Sequence, residues 1–150
     1  MKASTSGFER SLPRQRPALS KSEAMARVRT RNTEPELYLF NLLRRNKIRF
    51  RKHAEGFPGT PDAYIGRLKL AMFVHGCFWH GHTCKRGRPS ATRVDFWRAK
   101  IAKNQRRDAA VHDALTERGI TPLVFWTCDI DNFAQRIGSL RDSYESAARK

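Results

Sequence analysis

Apolar residues recur along this chain with two periods, and each change of period marks a new element. Leu37, Leu39, Phe40, Leu42 and Leu43 form a broad stripe at helical spacing. Thr33-Glu-Pro-Glu36 precedes it as a capping box, with Pro35 tolerated in the first turn. A helix is therefore expected from Thr33 to Arg44 or Arg45, with the Glu36 carboxylate bonded to the Thr33 amide. Ile48-Arg-Phe-Arg51 alternates and predicts a short strand, and Glu55-Gly-Phe-Pro-Gly-Thr-Pro61 is turn chemistry. Asp62–Ile65 predicts a second strand, Gly66-Arg67 a turn, and Leu68–His75 a third, mostly apolar strand, giving a hairpin with a buried central strand. After a loop over 76–91, Thr92 is placed to cap a long helix over 93–118, closed by Gly119. Ile120–Trp126 predicts a fourth strand, and Asp129 or Asp131 caps a last helix running towards Ala148. The order α-β-β-β-α-β-α contains no repeat and predicts an α/β fold, a small mixed sheet flanked by helices.

Composition changes the picture in three ways. A chain of 150 residues, 39% hydrophobic, suffices for one domain with a real core. The domain is expected over 32–150, because residues 1–31 carry eight Lys/Arg and two Glu with little periodicity and read as a basic, mostly flexible arm. Lys and Arg number 30 against 14 Asp and Glu, a net charge of +16, which suits a polyanion far better than a small metabolite. No apolar run approaches membrane-spanning length and the N-terminus lacks a signal-peptide core, so a soluble chain with no membrane partner is expected.

The candidate chemistry is concentrated in Phe73-Val-His-Gly-Cys-Phe-Trp-His-Gly-His-Thr-Cys84, which packs two cysteines, three histidines and an aromatic pair into twelve residues. Cys77, His82 and Cys84 share this loop, and Cys128 follows a strand end from which the chain can return to it. Together they make a Cys3His set, a normal tetrahedral structural zinc site that uses every cysteine of the chain. Three cysteines without a secretory signal argue against disulfides. Pro61-Asp62 begins a strand directly after a glycine turn, and the neighbouring strand delivers Val74, His75 and, past its end, His80. That is a layout for metal-dependent phosphodiester cleavage: a carboxylate for Mg²⁺, a neighbour to activate water, and cations for phosphate. The long helix offers those cations along one basic side, Arg93, Arg98, Lys100, Lys103, Arg106 and Arg107.

Gly59-Thr-Pro-Asp62, Phe73-Val-His-Gly-Cys-Phe-Trp-His80, Ala91-Thr-Arg-Val-Asp-Phe-Trp97, Lys103-Asn104 and Arg107-Asp108 together resemble the very-short-patch repair (Vsr-type) endonucleases, over about residues 20–130. These belong to the PD-(D/E)xK, restriction-endonuclease-like superfamily, and members nick DNA beside a T:G mismatch left by deamination of 5-methylcytosine. The resemblance implies that Asp62 binds Mg²⁺ together with the backbone carbonyl of Val74, whose side chain has no ligand atom. It implies that His80 activates the water with His75 nearby, and that Glu36 supports the water and metal shell. It also implies zinc on Cys77, His82, Cys84 and Cys128, and a wedge of Met25, Phe78, Trp79 and Trp97 entering the base stack. Arg93, Lys103, Asn104 and Arg107 are then expected against DNA. His75 stands where many relatives carry aspartate, and Gly81 and Thr83 interrupt the histidine run of some members. The expectation is a monomeric, cytoplasmic and nucleoid-associated enzyme acting on double-stranded DNA with a T:G mismatch, with mismatch-repair proteins as possible partners. The rival readings are a Vsr-like nuclease without mismatch preference, in defence, and a zinc-stabilised DNA-binding module without catalysis.

Overall fold

In the computed structural model, residues 30–89 and 91–149 are described, and Arg31–Lys150 form one unit. The arm expected before Asn32, Met25 included, lies almost wholly outside the described residues. Helix α1 spans Glu34–Arg45 and buries Leu39, Phe40, Leu42 and Leu43 of the predicted stripe, whereas Leu37 is exposed. Strands β1 (Arg51–Lys52), β2 (Ala63–Ile65) and β3 (Leu70–His75) follow, then helix α2 (Val94–Glu117), strand β4 (Thr121–Trp126) and helix α3 (Phe133–Ala148). The sheet order is β1-β2-β3-β4, antiparallel at the first two pairings and parallel between β3 and β4.

Each face of the sheet has its own core. Ile65, Met72 and Phe125 pack against Leu39, Phe40 and Leu43 of α1 and Phe133 and Ile137 of α3. On the other face Ala71 and Phe73 meet Leu115 of α2 and Ile120, with Phe57, Tyr64 and Val111 around them. Because β3 is covered on both sides, it reads as a continuous apolar run rather than an alternating one. This is a mixed α/β sheet flanked by helices, consistent with the restriction-endonuclease-like architecture. Among the described residues no helix is long and apolar enough to cross a membrane.

Several boundaries differ from the sequence-based expectation, each for a visible reason. The ladder of β1 begins at Arg51, not Ile48, because the Ile48 amide donates to Leu43 O at 3.0 Å and the Arg49 amide to the Tyr144 hydroxyl at 3.2 Å. The turn after β2 is longer than Gly66-Arg67: Gly66–Leu68 forms a 3₁₀ turn closed by left-handed Lys69, so β3 starts at Leu70. Helix α2 starts at Val94, with left-handed Arg93 rather than Thr92 in the cap position. Thr127–Asn132 winds as 3₁₀ turns before α3, so Asn132 precedes the helix in place of either aspartate. The long-helix ending is as expected, with left-handed Gly119 donating to Thr116 O and Ile120 to Leu115 O.

Candidate active site and metal centre

The capping box of α1 is built differently from the expected pattern, and the difference matters for the site. Glu36 does not take the Thr33 amide. Its Oε2 accepts the Asn32 amide at 2.9 Å and its Oε1 accepts the Thr33 hydroxyl at 2.7 Å. Asn32 adopts a left-handed conformation, which aims its amide at the carboxylate. Glu36 is thereby held almost fully buried, with His53 Nε2 3.9 Å away. His53 also pairs by its backbone amide with the Asp62 carbonyl, at 2.9 Å. The side chains of Glu36, His53 and Asp62 lie within metal-ligand reach of one another.

Asp62 is anchored from the other side. The Val74 amide donates to Asp62 Oδ2 at 2.7 Å, tying the carboxylate to the last residues of β3. Burial pushes the Asp62 pKa up to about 6; the Val74 bond opposes this, and the charge of Glu36 adds to it. Two carboxylates crowded without a cation are the electrostatic state that a divalent ion relieves, so the donor set fits a hard cation.

A second group adjoins the first through Val74. His80 Nδ1 lies 2.5 Å from Asp108 Oδ2, and the His75 ring stacks on the His80 ring at 3.7 Å with a 10° interplanar angle. An ionised carboxylate only accepts, so Nδ1 carries the proton and Nε2 is left as the basic nitrogen. His75 is buried, which with the neighbouring His80 lowers its pKa to about 4 and keeps it neutral at working pH. The arrangement can accept a proton at His80 Nε2 and stabilise the resulting imidazolium through Asp108.

The cysteines meet as expected. Cys77, His82, Cys84 and Cys128 offer ligand atoms within 4.8 Å of one another, and Cys128 Sγ lies 3.4 Å from His82 Nδ1. Burial disfavours the Cys77 thiolate, but the Thr127 hydroxyl and the neighbouring thiols outweigh it and lower the pKa; the His82 contact lowers that of Cys84. Burial, then Cys77 and Cys84, push Cys128 up to about 11. Three thiols of one site cannot all ionise unaided, which is the charge problem a bound cation solves. Gly87 packs directly on the His82 backbone, where a side chain would not fit.

Helix α2 braces the loop between the two centres. Asn104 Nδ2 donates to Trp79 O at 2.8 Å, and Gln105 Nε2 to His80 O at 3.3 Å. Left-handed Gly81 lies so close to Ile101 and Gln105 that only glycine fits. Phe78, Trp79 and Trp97 form a half-buried aromatic cluster with edge-to-face contacts of 5.1–6.0 Å, outside both cores. Phe96 beside them is 47% exposed and carries the Arg93 guanidinium 4.5 Å above its ring. Lys103 and Arg107 are exposed, whereas the Asn104 amide is engaged in holding the loop.

Sequence reasoning gave no role to His53, Asp108 or His112. Asn104, Asp108 and His112 recur every four residues and so share one helix face, which is the signal that could have found them. That face meets the loop: the His112 ring lies 6.4 Å from His75 at an 8° interplanar angle.

A largely buried, cation-ready carboxylate pair, a histidine–aspartate pair and exposed cations along α2 are the components a phosphodiester hydrolase acting on nucleic acid needs. The family model for the DNA mismatch endonuclease Vsr matches residues 17–86. The chain is 40% identical over 118 residues to the type II nicking enzyme V.XorIIP of Xanthomonas oryzae pv. oryzae, covering 79% of this chain and 87% of that one. It is 38% identical over 109 residues to the DNA mismatch endonuclease Vsr of Escherichia coli K12, covering 73% and 70%. To the type II nicking enzyme V.NmeAIP of Neisseria meningitidis it is 34% identical over 114 residues, covering 76% and 81%. The chain belongs to the Vsr family of DNA endonucleases.

Two predictions follow from the geometry. Asp62 has a folded pKa above its unfolded value, so its contribution to stability is greatest below the unfolded value near 4 and is lost as pH rises through about 6. In Mg²⁺-free buffer, Asp62→Asn should therefore melt higher than wild type at about pH 8, and the gap should close towards about pH 4.5. Calorimetry across that range checks this, and a lower melting temperature for the variant at the alkaline end would contradict it. Asp108→Asn should lower the nicking rate by about 10²–10⁴ through loss of the oriented imidazole, with duplex affinity nearly unchanged. Single-turnover kinetics beside a binding titration separate the two.

Proposed function

We propose that this protein is a Mg²⁺-dependent endonuclease that nicks one DNA strand beside a T:G mismatch left by deaminated 5-methylcytosine. The observation that carries the reading is the anchoring of Asp62 on the Val74 amide while the next residue of the same strand, His75, stacks on the His80 ring that Asp108 holds. Asp62 and the main-chain carbonyl of Val74 would hold Mg²⁺, with Glu36 and His53 bordering it. The ion supplies charge neutralisation at the scissile phosphate and a more acidic water. His80 Nε2 takes the water's proton, Asp108 holds that imidazole in the useful tautomer, and neutral His75 stacks on it without opposing its charge. Cys77, His82, Cys84 and Cys128 would hold Zn²⁺ as a closed structural site, since four protein donors leave no position for substrate.

The aromatic cluster supplies the mismatch preference in this reading. Phe78 and Trp79 lie half exposed on a loop braced by α2, Trp97 lies half exposed on α2 itself, and the exposed Arg93, Lys103 and Arg107 would meet phosphates around them. Insertion into a base stack costs a few kcal/mol per step and least where pairing is already weak. The family model's description as a mismatch endonuclease supports the same preference. Met25 would join the wedge from the basic arm over 1–31, ahead of the endonuclease domain over 32–150. We assign the enzyme to the cytoplasm and nucleoid, acting as a monomer ahead of mismatch-repair proteins.

Cys128→Ser should lower melting temperature and zinc content together, read by calorimetry and elemental analysis. Native protein containing no zinc would end the structural-zinc assignment. The substrate is tested by nicking of labelled duplexes carrying T:G or C:G at one position, with wild type and a Phe78→Ala/Trp79→Ala variant. Wild type should cut only the T:G duplex efficiently. The double variant should lose stacking of roughly 1–3 kcal/mol per base contacted, and so lose more on T:G than on C:G. An unchanged T:G to C:G ratio with a lowered melting temperature would make these rings packing residues.

A further inference from the structure

On the edge of the sheet away from the aromatic loop lies a cleft of about 310 Å³ that the cleavage chemistry does not use. Arg49, Arg51 and Arg67 line it, with Tyr64 and Tyr144. All three arginines are exposed, and among the described residues none has a carboxylate partner. Arg67 instead lies over the Tyr144 ring at 4.4 Å, and Arg51 over Phe57 at 5.8 Å. Three guanidiniums lining one cleft repel, and among the described residues no carboxylate pairs with any of them. The Tyr144 hydroxyl already accepts the Arg49 amide at 3.2 Å, so its own proton is free to go to a further acceptor. The cleft thus offers cations and a hydroxyl donor, the chemistry of an anion site.

Its position selects the anion. Arg51 pairs across the ladder with Tyr64, two residues along β2 from Asp62. It is also two residues from His53, which borders Glu36. Residues two apart on an extended chain are separated by about 6.6 Å, so the Arg51 end of the cleft lies about two strand-steps from the carboxylates. Arg49 and Arg51 are themselves two apart, a spacing that flexible guanidiniums can fit to neighbouring phosphates of one strand. The aromatic loop follows β3, whereas Arg51 lies in the edge strand β1, two strand-spacings from β3, about 10 Å, and Arg67 in the turn between β2 and β3.

We propose that Arg49, Arg51 and Arg67 form a phosphate-binding track for the DNA backbone on one flank of the scissile bond, across the active site from the aromatic cluster. This rests on the DNA-cleaving reading of the site. A duplex so held is gripped on both sides of the cut: rings enter the stack on one side, and arginines hold the backbone on the other. The gain is positional, because phosphate contacts fix the register of a duplex without reading its bases.

The test compares wild type with an Arg49→Gln/Arg51→Gln/Arg67→Gln variant by fluorescence anisotropy on a labelled T:G duplex across a KCl series. Each phosphate contact contributes about 0.9 to the slope of log K against log salt, so the variant's slope should be shallower by about 2–3. A parallel set of duplexes is shortened stepwise from one end or the other. Wild-type affinity should fall on shortening one flank only, and the variant should have lost that dependence. A variant with wild-type slope and wild-type flank dependence overturns the track. So does loss of binding to an acidic peptide with duplex binding intact, which would assign the cleft to an acidic protein partner. A flat salt dependence in wild type would instead overturn the DNA reading itself. If circular dichroism shows the triple variant unfolded, Arg51→Gln alone should still lower the slope by about 0.9, and no change there counts against the proposal.

Discussion

The parallel pairing of β3 with β4 is the constraint from which the rest of the site follows. Six paired positions, from Leu70–Thr121 to His75–Trp126, bring both strands to an end side by side. Whatever follows the two ends must therefore meet. Gly76–Cys84 follows one and Thr127-Cys128 the other, so the third thiol, Cys128, arrives beside the other three donors without any long loop to close. The Cys77 Sγ to Thr127 Oγ1 contact at 3.5 Å and the stacking of His82 on Trp126 at 4.3 Å mark the same junction. A slip of this register by one residue would turn His75 and Phe73 to the other face of the sheet and separate the donors.

At that junction the protein carries two unrelieved charge problems. Asp62 and Glu36 repel within a largely buried pocket, and Cys128 resists ionising against Cys77 and Cys84. Neither arrangement favours folding of the metal-free chain. Both favour capture of a cation, because binding removes a penalty already present in the fold. The two differ in use. The cysteine set supplies four protein donors, enough to close a tetrahedral site, whereas the carboxylate pair supplies hard oxygen donors that leave positions on a hard cation for other ligands.

Much of this was legible in the sequence where the controlling interactions are local. Most of the stripe of α1, the apolar run of β3 from Leu70 on and the Gly119 ending of α2 depend on residues a few positions apart and were found where expected, and the four Cys3His donors meet. The misreadings came from backbone groups taken by distant or non-standard partners. The Arg49 amide is claimed by Tyr144, ninety-five residues on, which shortens β1, and the left-handed turn at Asn32 redirects Glu36 from the expected cap. Asp108 and His112 were passed over for a related reason. Their helix was read for its basic, phosphate-contacting side, and the polar stripe that points inward carries no hydrophobic signal.

That inward stripe explains why α2 is so long and so little buried. Of its 24 residues only Ile101 and Leu115 are fully buried, far too few to hold a helix by hydrophobic packing alone. Its polar groups do the remaining work. Asn104 and Gln105 bond the carbonyls of Trp79, His80 and Gly81, and Asp108 orients the His80 ring. Such bonds contribute about 1 kcal/mol each, but they are directional where apolar contacts are not. A loop whose carbonyls and His80 ring are held in fixed relation needs direction more than depth of burial. The helix meets that need with one face and leaves the opposite face basic and exposed to a polyanion.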